Sequence, residues 1–277
     1  GWHIRILTRG NKSIPTSSQI EIFHGDLTNT TDWTEFIKNV DVIINCAGVI
    51  EDKKNINMVN LEGPSRLLNA SIGKVKRWVQ LSSAGVYGVP EDKIINEKSP
   101  LLPKTPYEIS KANFDKILND VAIENKLDFV ILRPTIIFGA RMTNQSIFQL
   151  VSAIKRNIFF FIGSPGNWAN YVHVNDVVNA LMLSAVKPKH SEHIYNISNK
   201  ITIEKFVEII CQALYIPTPK IRVPLLIVKP FVLILGWLPF VKLTSSRLRA
   251  LTSKTRYSTK LIEKNLGYKF EVPLQDG

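Results

Sequence analysis

Apolar and polar positions alternate between two spacings along this chain. HIRILT (3–8) is a short β-branched run, and QIEIFHGDL (19–27) alternates until it stops at Gly25-Asp26. VDVIINCAG (40–48) is continuously apolar and ends in glycine, the pattern of a strand buried on both faces. KRWVQLSS (76–83) and DFVILRP (128–134) repeat it; NYVHV (170–174) and HIYNIS (193–198) are shorter versions. Helical spacing fills the intervals: TDWTEFIKN (31–39), MVNLEGPSRLLNASI (58–72), PYEISKANFDKILNDVAIENK (106–126), VNDVVNALMLSAV (174–186) and TIEKFVEIICQALY (202–215), with Thr202 able to cap the last. Strands alternating with helices of this length predict an α/β fold, a doubly wound parallel sheet of Rossmann type. The expected division is 1–138 as the sheet domain, completed by strands near 170–198, and 139–277 as mainly a smaller substrate lobe. Pro64 predicts a break in its helix near Gly63.

The chain has 277 residues, long enough to bury a core without staples. Cys46 and Cys211 make neither a disulfide framework nor a metal site, so a reducing, cytoplasmic setting is expected. The net charge of +12 suits an anionic partner. No nucleic-acid motif accompanies it. Cations concentrate between Lys242 and Lys269, where a solvated helical surface is the plain reading. VPLLIVKPFVLILGWLPFVKL (223–243) is the most apolar stretch, interrupted by Lys229, Pro224, Pro230 and Pro239. It predicts two short helices packed in a subdomain, with a membrane-surface contact as the alternative.

Ligands of open parallel sheets sit beyond the carboxyl ends of the strands. Thr8-Arg9, Gly25-Asp26-Leu27, Cys46-Ala47-Gly48, Ser82-Ser83 and Arg133-Pro134 stand at those exits, and together they describe the rim of a cleft. Tyr107 and Lys111 share a helix face. A cation beside a phenol favours the phenolate and suits proton transfer at a hydroxyl or carbonyl. The same pair, taken alone, also fits an ordinary helix surface.

QLSSAGVYG (80–88), YEISK (107–111), LRPTIIFG (132–139) and YVHVNDVV (171–178) in this order resemble an extended short-chain dehydrogenase/reductase, and more narrowly the NAD-dependent epimerase/dehydratase family. GDLTN (25–29), NCAG (45–48), VNLEGPSRLL (59–68) and LIEKNLGYKFEVPLQDG (261–277) fit the same resemblance. It implies Tyr107 as acid/base, Lys111 as the group that lowers its pKa and holds the nicotinamide ribose, and Ser83 on the reacting oxygen. It implies Asp26 and Leu27 at the adenine, Ala47 and Gly48 along the dinucleotide, Asn60 in support, and Ser82 and Pro134 near the nicotinamide. Arg141, Asn144, Tyr171 and Arg256 become substrate candidates, a homodimer is implied, and no metal is. GWHIRILTRG matches the family's second strand, and the glycine-rich turn of the family's opening is not found. The expectation is therefore a fragment lacking the first strand and helix, with weak dinucleotide binding. Thr8-Arg9 stands where an acidic residue would favour NAD, so the lean is to NADP. Ala169-Asn170 replaces an arginine that grips the substrate diphosphate in many relatives.

Three functions compete. A nucleotide-sugar epimerase, in a setting such as polysaccharide synthesis, leads; Ala84 and Gly85 after Ser83 weigh against a dehydratase. An NADP-dependent reductase or dehydrogenase of an apolar ketone or alcohol, hydroxysteroid-dehydrogenase-like, is second. A non-catalytic dinucleotide-binding protein is third.

Overall fold

The computed structural model describes the chain apart from residues 11–13, 16, 30–31, 53, 89–93, 141, 143–145, 188–191, 236–242 and 244. It divides into two compact units, one of Gly1–Val89, Pro100–Arg133 and Leu181–Ile194, the other of Pro90–Ser99, Pro134–Ala180 and Tyr195–Gly277.

Parallel strands build the first unit. β1 (Ile4–Thr8) pairs with β2 (Ile20–His24). β3 (Val42–Asn45), β4 (Arg77–Leu81) and β6 (Asp128–Pro134) pair side by side, and Ile131 N–H donates at 2.7 Å to His193 O where β10 (Ile194–Ile197) begins. A charged pair marks the register in each sheet. Arg5 faces Glu21 across β1–β2, with Nε donating at 2.7 Å, and Arg77 faces Asp128 across β4–β6 at 2.6 Å. A one-residue slip would separate both pairs and turn the apolar faces outward.

Trp33, Trp78, Phe114, Leu118 and Phe129 fill the core between these strands and their helices. The short helix α1 (Thr34–Ile37) contributes Ile37. Helix α3 (Pro106–Glu124) starts with a complete capping box, Thr105 with Glu108, and Pro106 in the first turn. The break predicted near Gly63 takes a different form. A π-helical turn, Met58–Glu62, runs directly into α2 (Gly63–Ser71), with Pro64 buried in the first turn of α2. Any Cβ at position 63 would overlap the carbonyl oxygen of Leu27, so glycine lets the turn lie against the chain leaving β2.

Aromatic packing holds the second unit. Tyr171 stacks on Phe206 at 4.9 Å between ring centres, and Phe138 meets both edge-on. Parallel pairs of two or three residues stitch the surrounding loops: β7 (Ile136–Phe138) with β9 (Tyr171–His173), β8 (Phe161–Ile162) with β11 (Arg222–Val223), and β5 (Ile94–Ile95) with β12 (Arg256–Tyr257). Helix α4 (Ser146–Lys155) lies in a stretch for which the periodicity predicted nothing. Helix α5 (Val174–Val186) and helix α6 (Ile203–Leu214) match their predicted spans, and Thr202 caps α6 by accepting from Lys205 N–H. Of the apolar stretch 223–243, the first predicted helix is α7 (Leu225–Leu235), with Pro230 inside it; the second lies outside the described residues. Helices α8 (Ser245–Leu251) and α9 (Lys260–Leu266) follow. Among the described residues no helix is long and apolar enough to cross a membrane.

Gly63→Ala should lower unfolding free energy by about 1–3 kcal/mol, the usual cost of forcing extra volume into a packed site. Urea melts of the two proteins check it; equal midpoints would mean that the turn yields freely.

Candidate active site

The polar residues at the ends of β3 and β4 meet α3 inside the first unit. Asn45 and Gln80 are register partners, and Asn45 Nδ2 donates to Gln80 Oε1 at 2.9 Å. Asn45 Oδ1 accepts from Ala47 N–H at 3.1 Å, which turns the chain out of β3. Asn60, on the π-helical turn, clamps Val49, two residues beyond Ala47. Its Oδ1 accepts from Val49 N–H and its Nδ2 donates to Val49 O, both at 2.9 Å, and Nδ2 also reaches Ser110 Oγ at 3.1 Å. Single π-helical turns inside α-helices are frequent at functional sites, and Asn60 sits on this one.

Lys111 runs between the two strand ends. Only 4% of it is exposed, and Nζ donates to Ala47 O and to Leu81 O, each at 3.1 Å. A Cβ at Gly48 would press to 3.2 Å from Nζ, so the glycine leaves room for the ammonium. Burial pulls the lysine down to about 8, against the opposing pull of Asp115 and Cys46.

Ser83 caps the short 3₁₀ turn Ala84–Tyr87 that follows β4, its Oγ accepting from Gly85 N–H at 3.0 Å. The same hydroxyl lies against the phenol of Tyr107. Burial pushes this phenol above its ordinary value; the Ser83 bond works the other way, and the Asp115 and Glu108 carboxylates add to the rise. The expectation from sequence was a phenol lowered by its lysine. In the structure the lysine points two of its donors at backbone carbonyls, and desolvation dominates at the phenol.

Beneath this layer lies a buried ion pair that the motif reading did not include. Arg133 Nε donates to Asp115 Oδ2 at 3.0 Å, with each side chain 3% exposed. Arg133 Nη1 also donates to Tyr87 Oη at 3.1 Å, and its guanidinium lies 5.2 Å from the Tyr87 ring centre. Burial pushes the Asp115 carboxyl up, while Arg133, Ser82 and Lys111 hold it down. A sequence signal existed: Asp115 follows Lys111 by four residues, on the same helix face.

Lys111 links to Ala47, Ser83 to Tyr107, and Asn60 through Ser110 to the Tyr107 carbonyl; Gly48 lies beside the ammonium, and Ser82 is buried at the end of β4. Asp26 heads the loop after β2, where Thr28 N–H and Thr28 Oγ1–H both donate to Oδ1 at 2.8 Å. These bonds hold its carboxyl below the usual range, with a smaller push from Arg9, whose guanidinium stands 3.9 Å away. Leu27 is buried in the core. Pro134, Tyr171 and Arg256 belong to the second unit; the Tyr171 ring is in its core, and Arg256 lies 5.6 Å from the Trp168 ring centre. Arg141 and Asn144 are outside the described residues. The second unit also has a cavity of about 610 Å³ with Asn167, Arg222 and Lys254 in its wall. No cluster of metal-ligating side chains occurs among the described residues.

Asp115→Asn should destabilise the protein by about 3–5 kcal/mol, because it leaves the Arg133 charge buried and unpaired. The double variant Asp115→Leu/Arg133→Met should lose less. Thermal melts compare them; a single variant as stable as the wild type would remove the pair from the account.

The profile of the NAD dependent epimerase/dehydratase family matches residues 1–198. UDP-glucose 4-epimerase of Vibrio cholerae is 26% identical over 269 residues, covering 91% of this chain and 79% of the relative. 3beta-hydroxysteroid-dehydrogenase/decarboxylase isoform 1 of Arabidopsis thaliana is 24% identical over 290 residues, covering 94% of this chain and 66% of the relative. Among solved structures, UDP-glucuronic acid 4-epimerase from Bacillus cereus in complex with NAD superposes with a TM-score of 0.72 at 17% identity, over 94% of this chain and 79% of that one, a likeness of fold.

Proposed function

This chain belongs to the NAD-dependent epimerase/dehydratase family, and we propose that it is a nucleotide-sugar epimerase whose catalytic set is Ser83, Tyr107 and Lys111. The observation that carries the reading is the Tyr107 phenol against Ser83 Oγ with Lys111 buried one helical turn on. The Vibrio cholerae relative supports the epimerase over the apolar-ketone reductase, because its match has the higher identity and covers more of the relative.

The donor set fits a dinucleotide. An ammonium has three N–H donors. Lys111 directs two at Ala47 O and Leu81 O, which leaves one for a ribose hydroxyl. Ala47 and Gly48 offer backbone beside it, Ser82 stands at the end of β4, and Pro134 of the second unit is kept as a proposed cofactor contact. A bound nicotinamide supplies the acceptor and donor of a hydride. Everything else falls to this chain's side chains. Ser83 Oγ orients the sugar oxygen by hydrogen bonding, Tyr107 Oη takes its proton and later returns it, and Lys111 keeps a positive charge near the phenolate.

Of the two dinucleotides we propose NADP, on Arg9 alone. Its side chain is 74% exposed at the end of β1 and only loosely paired with Asp26, so it is available to a 2′-phosphate. On the substrate side, Arg222 and Lys254 stand in the wall of the second unit's cavity, where Arg222 is paired with Glu204 and Lys254 donates to Pro165 O, so a diphosphate there would have to compete with those partners. Arg141, Asn144, Tyr171 and Arg256 remain proposed substrate residues. The 1–138 and 139–277 segments are proposed as mainly cofactor and mainly substrate portions. The other proposed partners are a second copy of the chain, through exposed Ile109 and Ile123 of α3, and a membrane surface, through 223–243. Two free thiols suit a reducing cytoplasm.

Tyr107→Phe should lower kcat about 10²–10⁴-fold on the productive UDP- or dTDP-hexose, with KM little changed. Chromatographic separation of the two epimers reads this, and full activity in the variant would sink the reading. Arg9→Asp should weaken NADP binding about tenfold or more while leaving NAD binding nearly constant. Competition calorimetry decides; equal losses for both would return Arg9 to a surface role.

A further inference from the structure

Among its described side chains, helix α7 has two apolar faces, one packed and one exposed. Val228 and Val232 point inward, where Ile162 and Leu248 of α8 cover them. On the opposite side Leu226 is 87% exposed, Ile227 55% and Phe231 64%, with Lys229 and Pro230 exposed between them. Ile221, just before the helix, is 69% exposed. A contiguous patch of large apolar side chains on a surface marks an interaction site.

In the sequence, the charge flanking the patch has one sign. Between Glu208 and Glu263 the sequence contains five Lys and four Arg, and no Asp or Glu. Some of these cations are engaged within the unit: Arg222 pairs with Glu204 at 2.8 Å, and Lys254 donates to Pro165 O at 2.6 Å. Lys229 on α7 and Arg249 on α8 are exposed. A second copy of this chain docked face to face would bring these cations against each other, which disfavours self-association through the patch. An anionic surface matches both the charge and the apolar face. The described helix, Leu225–Leu235, is shorter than the ~20 apolar residues a bilayer span takes, and is of a kind that lies in the interface.

We propose that α7 docks this protein on an anionic lipid bilayer, with Leu226, Ile227 and Phe231 entering the headgroup boundary and Lys229 and Arg249 meeting lipid phosphates. The proposal deepens the membrane-surface reading of 223–243 and is independent of the catalytic one. Its failure would leave Tyr107 chemistry untouched.

Sedimentation of the full chain with vesicles tests it. Vesicles of phosphatidylcholine with a quarter phosphatidylglycerol should carry about tenfold more protein than pure phosphatidylcholine, and added salt should reduce the difference. Leu226→Ser/Phe231→Ser should lose about tenfold in binding with an unchanged circular dichroism spectrum, since both side chains are exposed. Lys229→Glu/Arg249→Glu should lose the preference for the anionic vesicles. Equal recovery on both vesicle types, or undiminished binding by the serine variant, would overturn the proposal. So would a concentration-dependent dimer that Phe231→Ser converts to monomer, which would assign the face to a second copy.

Discussion

A buried ammonium organises the first unit's polar end. Lys111 bonds the last carbonyl of β4 and a carbonyl just beyond β3, so one side chain of α3 ties two strand ends together. Asn60 performs the matching task from the π-helical turn by clamping Val49 and Ser110. The glycines follow from these approaches. Gly48 makes room for the lysine, and Gly63 lets the π-helical turn rest on the chain leaving β2. Remove the ammonium, and the two exits lose their shared partner.

The same burial sets the electrostatics. A cation taken out of water is disfavoured, which is why Lys111 falls to about 8, and a phenol taken out of water resists ionising, which is why Tyr107 rises. Asp115 offsets the first effect and adds to the second, and Arg133 in turn holds Asp115. In the free protein the proton therefore sits on Tyr107. A further positive charge arriving beside the phenol, as an oxidised nicotinamide carries, would favour its release. On the proposed assignment, Tyr107 would become a base only once the dinucleotide is bound.

Much of this was legible in the sequence because it depends on local pattern. Continuous apolar runs ending in small residues located β3, β4 and β6 to within a few residues, and the four-residue spacing put Tyr107 and Lys111 on one face. What escaped depends on the fold. The direction of the Tyr107 shift follows from desolvation, which no spacing reveals. The Asp115–Arg133 pair joins a helix to a strand eighteen residues on, and only Asp115's position after Lys111 hinted at it. Gly63-Pro64 signalled a break, but whether the chain would kink or widen into a π-helical turn depended on Leu27 behind it. Paired strands of two or three residues in the second unit have no period to read.

The protonation of Tyr107 is the most direct test. Its ionisation can be isolated as the absorbance at 295 nm lost in Tyr107→Phe relative to wild type over a pH titration. Without dinucleotide, the account predicts a Tyr107 midpoint above pH 10, the ordinary phenol value, and a downward move when oxidised dinucleotide is saturating. A Tyr107 that ionises below pH 10 in the free protein, or that ignores the cofactor, would contradict it.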